Sequence, residues 1–160
     1  MENKILIVYY THSSKTKKIA EIIKEETGGD IMEIEPEYPY PVSYNDVVEQ
    51  AKKEINMGYK PKIKNNISID DYNIVIVGSP NWWDTIAPPI ATFLESADFS
   101  DKIIAPFCTH GGGGFGTSFK DIERISKAKK VLKGFSIFGS GGKSARDKVV
   151  EWLKEIEIIN

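Results

Sequence analysis

The 160-residue chain has little of the residue types that mark several large classes of protein. Cys108 is its single cysteine, so no disulfide can form within the chain and a reducing compartment is expected. The chain has two histidines, and no His, Cys and carboxylate residues have the spacing of metal ligands. No apolar run approaches the length that spans a membrane. The sequence therefore predicts neither a disulfide scaffold, nor a metal site, nor a membrane span.

Blocks of one charge sign are also absent. The chain has 21 Lys and Arg residues against 23 Asp and Glu residues, which gives a formal net charge of -2. Because the basic residues are spread among acidic ones, no nucleic-acid partner is predicted. Residues Met1–Lys4 lead into an apolar segment without the pattern of a secretory signal. We therefore expect a cytoplasmic protein with a single domain over residues 1–160.

What the chain does contain is a regular alternation of strand and helix patterns. Five apolar segments have the composition of buried parallel strands: Ile5–Tyr10, Ile31–Ile34, Ile74–Val77, Ile103–Cys108 and Val131–Phe138. A helical pattern follows each strand, and the helices are expected to begin near Lys15, Ser43, Pro88, Ser118 and Ser144. Three of these starts have Asp three residues after Ser, which resembles a capping box. The alternation predicts an α/β fold, a doubly wound parallel sheet with helices on both faces.

Three loops of unusual composition follow the first, third and fourth predicted strands. Ligands of open doubly wound sheets bind beyond the carboxyl ends of the strands, where the strand order reverses. In the order 2-1-3-4-5 these three strands are neighbours, so their loops share one edge of the sheet. This shared position predicts a ligand site formed by the three loops.

The first loop, Thr11–Thr16, leads directly into a helix. It has four hydroxyl groups and one lysine, and the helix start adds free backbone N–H groups. These donors suit a phosphate dianion, although an ordinary Ser/Thr helix cap is the alternative. No acid or nucleophile lies beside His12, so no catalytic residue is identified. The candidate phosphate-binding residues are Thr11, His12, Ser13, Ser14, Lys15 and Thr16.

The second loop, Gly78–Thr85, contains two adjacent tryptophans. A large apolar side chain is costly when it is merely exposed. Either one tryptophan packs into the core while the other is half exposed, or one forms the wall of a site for a flat aromatic ligand. Both interpretations can hold at once. The candidate binding residues are Pro80, Asn81, Trp82 and Trp83.

The third loop contains four consecutive glycines, Gly111–Gly114. Without Cβ atoms, such a backbone can bring N–H groups close to a planar ring, whereas a flexible surface loop is the alternative. A dinucleotide motif is formally matched, but it follows the fourth strand and no acidic residue stands about 20 positions later. The P-loop pattern also fails, because Thr117 stands where that motif has lysine. The candidate binding residues are Thr109, His110, Gly111, Gly112, Phe115 and Gly116.

Over essentially its whole length the chain resembles the flavodoxin-like family of FMN proteins. The resemblance is carried by Gly78–Trp83 and by Pro106–Gly112, which are typical of a branch with a Trp-bearing second loop and a Thr-His-Gly-Gly third loop. Thr11, Ser13 and Thr16 match the family's phosphate loop, while Ser14 and Lys15 replace its Gly-Asn pair. The resemblance implies a non-covalent FMN, with its phosphate at the first loop and its ring at the other two.

The resemblance also implies a redox function, and two forms of it stay open. One is an electron carrier that docks with a redox partner protein. The other is an NAD(P)H-dependent enzyme that reduces quinones or similar small-molecule electron acceptors. A flavin-free interaction module is a distant third. The near balance of charges favours a small partner over a large acidic docking face.

Overall fold

A central parallel sheet lies between two layers of helices. The computed structural model describes residues 3–160. The strands are β1 Ile5–Tyr9, β2 Asp30–Glu33, β3 Ile74–Trp82, β4 Thr85–Ile86, β5 Ile103–His110, β6 Lys130–Val131 and β7 Phe135–Phe138. The helices are α1 Lys15–Thr27, α2 Tyr44–Met57, α3 Pro88–Glu95, α4 Ser118–Ser126 and α5 Ala145–Glu155. Within residues 3–160, no helix is both long and apolar enough to cross a membrane.

The strand order confirms the predicted doubly wound sheet. The main path is β2-β1-β3-β5-β6, and β7 continues the same edge beside β5. All pairs are parallel except β3 with β4. Apolar residues of α1 and α5 cover one face of the sheet, and those of α2, α3 and α4 cover the other. Because both faces are covered, the strands are apolar throughout rather than alternating.

The predicted fifth strand, Val131–Phe138, is interrupted in the structure. Its two parts, β6 and β7, pair with β5 in registers that differ by one residue. The backbone N–H of Leu132 still donates to Ile104 over 2.8 Å. The backbone N–H and C=O groups of successive residues in a strand point to opposite sides, so Pro106, two residues after Ile104, faces the same neighbouring segment as Ile104 does. Pro106 has no N–H hydrogen to donate to that segment. The missing donor accounts for the break between β6 and β7.

The third strand is longer than the predicted segment Ile74–Val77. Strand β3 runs on to Trp82 and returns as β4, which makes part of the predicted second loop a hairpin. Its turn consists of Trp83 and Asp84, both with positive φ, at 53° and 65°. Two such residues match the twist of a two-residue hairpin, although Asn and Gly are the usual occupants.

The capping-box interpretation of three helix starts is wrong. Neither Ser43 nor Ser144 makes a side-chain capping hydrogen bond. The residue before α4 is Thr117, and Ser118 is already the first helical residue. Asp121 instead accepts hydrogen bonds from the hydroxyls of Thr117 and Thr85. The carboxylate therefore joins α4 to the hairpin and does not cap the helix backbone.

Candidate functional site

The three loops meet at a cleft of about 590 Å³ beyond the carboxyl ends of β1, β3 and β5. This volume lies within the range of small-molecule binding sites. The cleft brings together ten of the sequence-predicted residues: His12, Ser13, Lys15, Pro80, Asn81, Trp82, Trp83, Thr109, His110 and Gly111. The predicted convergence of the loops is thus present in the structure.

Helix α2 forms a wall of the cleft that was not predicted from the sequence. The additional lining residues are Tyr44, Val47, Val48, Ala51, Asp84 and Gly113. The apolar spacing along α2 was visible, but it predicts only a face that packs on the sheet. Six predicted residues lie outside the lining: Thr11, Ser14, Thr16, Gly112, Phe115 and Gly116.

The first loop presents a helix start whose donors have few protein partners. Ser14 precedes α1 with a φ of 69° and makes no side-chain capping bond. It therefore adopts the left-handed conformation for which the family pattern has glycine. The first N–H groups of a helix have no partner within the helix, and here they lie beside the exposed side chain of Lys15. The buried Oγ1 of Thr11 also has no hydrogen-bond partner.

Thr16 and Thr109 join the first loop to the third. Their hydroxyl oxygens lie 2.8 Å apart, and one of the two hydroxyls donates to the other. Both side chains are buried. The contact fixes the end of β5 against the first turn of α1, so Thr16 supports the loop from beneath.

Trp82 is held by aromatic neighbours. Its ring lies 5.5 Å from that of Tyr10, 4.9 Å from that of Tyr40 and 6.0 Å from that of His12, all in edge-to-face geometry. The Nε2 of His12 in turn donates to the carbonyl of Pro41 over 2.8 Å. Trp82 is partly buried against the core, so it forms a rigid part of the cleft wall.

Trp83 is half exposed, with 49% of its surface accessible. Its Nε1–H donates to the carbonyl of Val48 on α2 over 3.0 Å, and the Nζ of Lys52 lies 5.2 Å from its ring centre. Both tryptophans also line the cleft. Trp82 packs inward and Trp83 stays half exposed, which is the first of the two interpretations that the sequence left open.

The third loop is fastened to the hairpin turn. The backbone N–H of Thr117 donates to Asp84 over 2.7 Å, and Nδ2 of Asn81 donates to Gly114 over 2.6 Å. Gly116 has a φ of 52°, and a Cβ there would lie 2.3 Å from the carbonyl oxygen of Asp84. Only glycine permits this close approach. The loop is therefore not a freely moving connection.

Phe115 and His110 take different positions along this loop. The ring of Phe115 stacks on Phe119, with the ring centres 4.5 Å apart, and does not line the cleft. His110 does line the cleft, and its Nδ1 accepts a hydrogen bond of 3.0 Å from Gly112. A neutral His110 therefore carries its proton on Nε2.

The buried Cys108 beneath this loop is no candidate nucleophile. Burial raises the pKa of its thiol to about 12, so the thiol is protonated at neutral pH. Residues 3–160 also contain no group of three His, Cys, Asp or Glu side chains placed to hold a metal ion.

Comparison with known proteins identifies the class. The model of the flavodoxin family matches residues 4–156, so the chain belongs to that family. The flavodoxin of Nostoc sp. PCC 7120 is 26% identical over 147 residues, covering 87% of this chain and 70% of that protein.

Two solved structures are similar over nearly the full length. A structure from Bacteroides uniformis is 25% identical with a TM-score of 0.84, covering 96% of this chain and 99% of that one. A flavoprotein from Lactobacillus acidophilus, solved in complex with FMN, is 26% identical with a TM-score of 0.74. The match covers 94% of this chain and 98% of the Lactobacillus protein. The resemblance to the flavodoxin family is confirmed, and the branch indicated by the second and third loops stays a prediction.

Proposed function

We propose that this flavodoxin-family protein binds FMN in the cleft and transfers electrons. The observation that carries the proposal is the open start of α1 beside an aromatic-walled cleft. Two buried side-chain oxygens without partners, the hydroxyl Oγ1 of Thr11 and the amide Oδ1 of Asn81, lie in the loops next to that cleft. Buried polar atoms are normally hydrogen-bonded, so orphaned ones at a cleft indicate a ligand. The residues present fit a flat ring that carries one phosphate.

The first-loop end would hold the phosphate. The free N–H groups of the first turn of α1 carry the positive end of the helix dipole. The hydroxyl of Ser13 and the ammonium group of Lys15, both at the cleft, add a donor and a charge. Thr11 can rotate its hydroxyl to donate to the same oxygens. These groups would replace the hydration of a phosphate dianion.

The hairpin end would hold the ring. Trp82 and Trp83 supply aromatic surface, while the amide of Asn81 and the backbone near Gly111 supply polar contacts at the ring edge. His110 can donate through Nε2 at the same edge. Bound FMN would supply the redox chemistry, while these side chains orient it and exclude water from one side.

The redox partner follows from the charge distribution. The chain has a net charge of only -2, and Lys15, Lys17 and Lys18 are exposed near the first-loop end. Such a surface does not produce the one-sign field on which electrostatic docking depends. We therefore propose a redox partner protein or small acceptor that meets the cleft without relying on an acidic face.

The test is binding of FMN to the purified protein. Addition of FMN should quench the fluorescence of Trp82 and Trp83, and the buried Trp152 on α5 should leave a residual signal. Riboflavin should bind more weakly, because it lacks the phosphate that the first loop holds. A protein that takes up neither ligand would contradict the proposed function.

The two redox forms are separated by a second assay. Oxidation of NADH or NADPH by a quinone, catalysed by the FMN-loaded protein alone, would indicate the enzyme. Reduction only through a flavodoxin reductase would indicate the carrier. If that reduction fell sharply with salt, the inference drawn from charge would be wrong.

A further inference from the structure

A buried carboxylate lies behind the α2 wall of the cleft. Glu54 is 9% exposed and occupies the same face of α2 as Val47 and Ala51, which line the cleft. Its Oε1 accepts a hydrogen bond of 2.5 Å from the hydroxyl of Tyr40, and its Oε2 accepts one of 2.9 Å from Gln50. Among the ion pairs of residues 3–160, none involves Glu54.

Tyr40 carries this contact to the ring end of the cleft. Its side chain is buried, and its ring meets Trp82 at 4.9 Å and 87°. Burial, followed by the bond to Glu54, raises the pKa of Tyr40 above its usual value, so the hydroxyl stays a donor. The next residue, Pro41, accepts the hydrogen bond from His12 of the first loop. The Tyr40–Pro41 segment thus contacts both ends of the cleft.

Packing alone does not account for this choice of residues. An apolar pair would fill the same space without the cost of burying a carboxylate that has no cation beside it. A short, charge-assisted hydrogen bond instead fixes where the Tyr40 ring stands, since its geometry is strict. The ring of Trp82 lies directly against Tyr40 and therefore follows its position.

We propose that Tyr40 and Glu54 are positioning residues, which set the orientation of Trp82 and thereby the affinity of the cleft for the isoalloxazine ring. The proposal rests on the proposed function, because it needs FMN in the cleft. It assigns to α2 a role beyond covering the sheet. Neither residue contacts the cleft itself, so both act through Trp82.

The test uses two conservative substitutions with matched controls. Tyr40→Phe keeps the ring and removes the hydroxyl, while Glu54→Gln keeps the shape and removes the charge. Tyr38→Phe and Glu49→Gln make the same chemical changes at exposed positions of the same segment and the same helix. Each protein is titrated with FMN and with riboflavin, and the fluorescence of the flavin-free form is recorded.

Loss of one hydrogen bond in Tyr40→Phe should lower the affinity for FMN and for riboflavin about fivefold. In Glu54→Gln both affinities should fall by a similar or larger factor. Equal factors for FMN and riboflavin are expected, because the ring and not the phosphate has lost its support. The tryptophan emission of both flavin-free variants should shift, and the controls should match the wild type. The Tyr40→Phe result decides the matter if Glu54→Gln does not fold.

Unchanged flavin affinity with lowered thermal stability would overturn the inference and leave Tyr40 and Glu54 as packing residues. A larger loss for FMN than for riboflavin would also overturn it, since the effect would then lie at the phosphate. If the wild type bound no flavin at all, the proposed function would fail first and this inference with it. The two failures are therefore distinguishable.

Discussion

The two ends of the cleft are built in opposite ways. At the first-loop end, Ser14 makes no capping bond and the Oγ1 of Thr11 has no partner. At the hairpin end, Oδ1 of Asn81 also has no partner, but most polar groups are bonded to other parts of the protein. Trp83 is tied to α2, and Asp84 accepts from both the backbone and the hydroxyl of Thr117. One end keeps its donors for a ligand, whereas the other is assembled before any ligand arrives.

This difference means that one end of the cleft is suited to a charged phosphate and the other end to a planar ring. A phosphate needs donors that are free in the unbound protein, and the first backbone N–H groups of α1 are donors of this kind. A planar ring needs walls that do not move, and fixed walls reduce the ordering cost of binding. The strained turn at Trp83 and Asp84 is held by its contacts with α2 and the third loop. Each end should therefore respond differently to substitution.

The largest effect is expected from Gly116→Ala, which breaks the hairpin end. The new Cβ would lie 2.3 Å from the carbonyl of Asp84, at a φ of 52° that disfavours L side chains. We expect the free energy of unfolding to fall by about 3 kcal/mol or more, from backbone strain plus displacement of the hairpin. Denaturant unfolding measures it.

Gly114→Ala is the matched control for this substitution. Gly114 also has a positive φ, at 72°, but a Cβ there would meet nothing within 4 Å. The control should cost only the conformational part, about 1 kcal/mol. Equal losses in the two variants would mean that the close approach of the third loop to Asp84 contributes nothing.

The contrast also explains which parts of the site were predictable from sequence. The hydroxyls of Thr11–Thr16 and the glycines of the third loop are local signals, because their chemistry is visible without a partner. The hairpin at Trp83 and Asp84 is not local. Its positive φ values fall on two residues other than glycine, and contacts from α2 and Thr117 add to the β3–β4 pairing that holds the turn.

The fold was predictable almost completely from the sequence, and the errors in that prediction have physical causes. Buried parallel strands are continuously apolar, so β1, β3 and β5 were recognisable from composition. The break between β6 and β7 depends on Pro106 in a neighbouring strand, which no pattern within Val131–Phe138 contains. The cleft-lining side of α2 was hidden for a similar reason, since one apolar face serves both the core and the cleft.

The next largest effect is expected from Thr11→Val, which acts at the first-loop end. Removal of a buried hydroxyl without a partner should raise the stability of the flavin-free protein by about 1 kcal/mol. Affinity for FMN should fall by about 10- to 100-fold, because a donor to a charged phosphate is lost. Riboflavin affinity should not change. Titration with both flavins measures the fall in FMN affinity, and urea unfolding measures the rise in stability.

Thr11→Ser serves as the control, because it keeps the hydroxyl while removing the methyl group. It should bind FMN as the wild type does. A Thr11→Val protein that lost stability and kept its FMN affinity would show that the hydroxyl serves the fold and not the ligand.

An effect of similar size is expected from Trp83→Ala at the ring end. Loss of the aromatic wall should weaken FMN and riboflavin equally, by about 1–3 kcal/mol, by analogy with bases stacked on aromatic side chains. The side chain is half exposed, so stability should change less than affinity. Trp82→Ala, by contrast, should lower both affinity and stability, because its ring packs against Tyr10 and Tyr40. No change of affinity in either variant would make both tryptophans structural.

The smallest effect is expected from Asp121→Asn, which loosens the joint between hairpin and third loop. Burial alone would raise the pKa of Asp121, but hydrogen bonds from Thr85 and Thr117 and the nearby Arg124 outweigh burial and lower it. A lowered pKa means that the carboxylate stabilises the fold above the unfolded value of about 3.9. That contribution is lost as pH falls through the lower folded value.

At neutral pH the free energy of unfolding of the wild type should therefore be higher than that of Asp121→Asn. The difference should be about 1 kcal/mol or less, because the Asp121 carboxylate is partly solvated. The difference should shrink as the pH is lowered below about 4, where the unfolded carboxylate takes up its proton first. Urea unfolding at a series of pH values measures both, with the exposed Asp71→Asn as control. If the difference in unfolding free energy grew as the pH was lowered, the pKa of Asp121 would be raised by folding and not lowered. The ionised carboxylate would then destabilise the hairpin end.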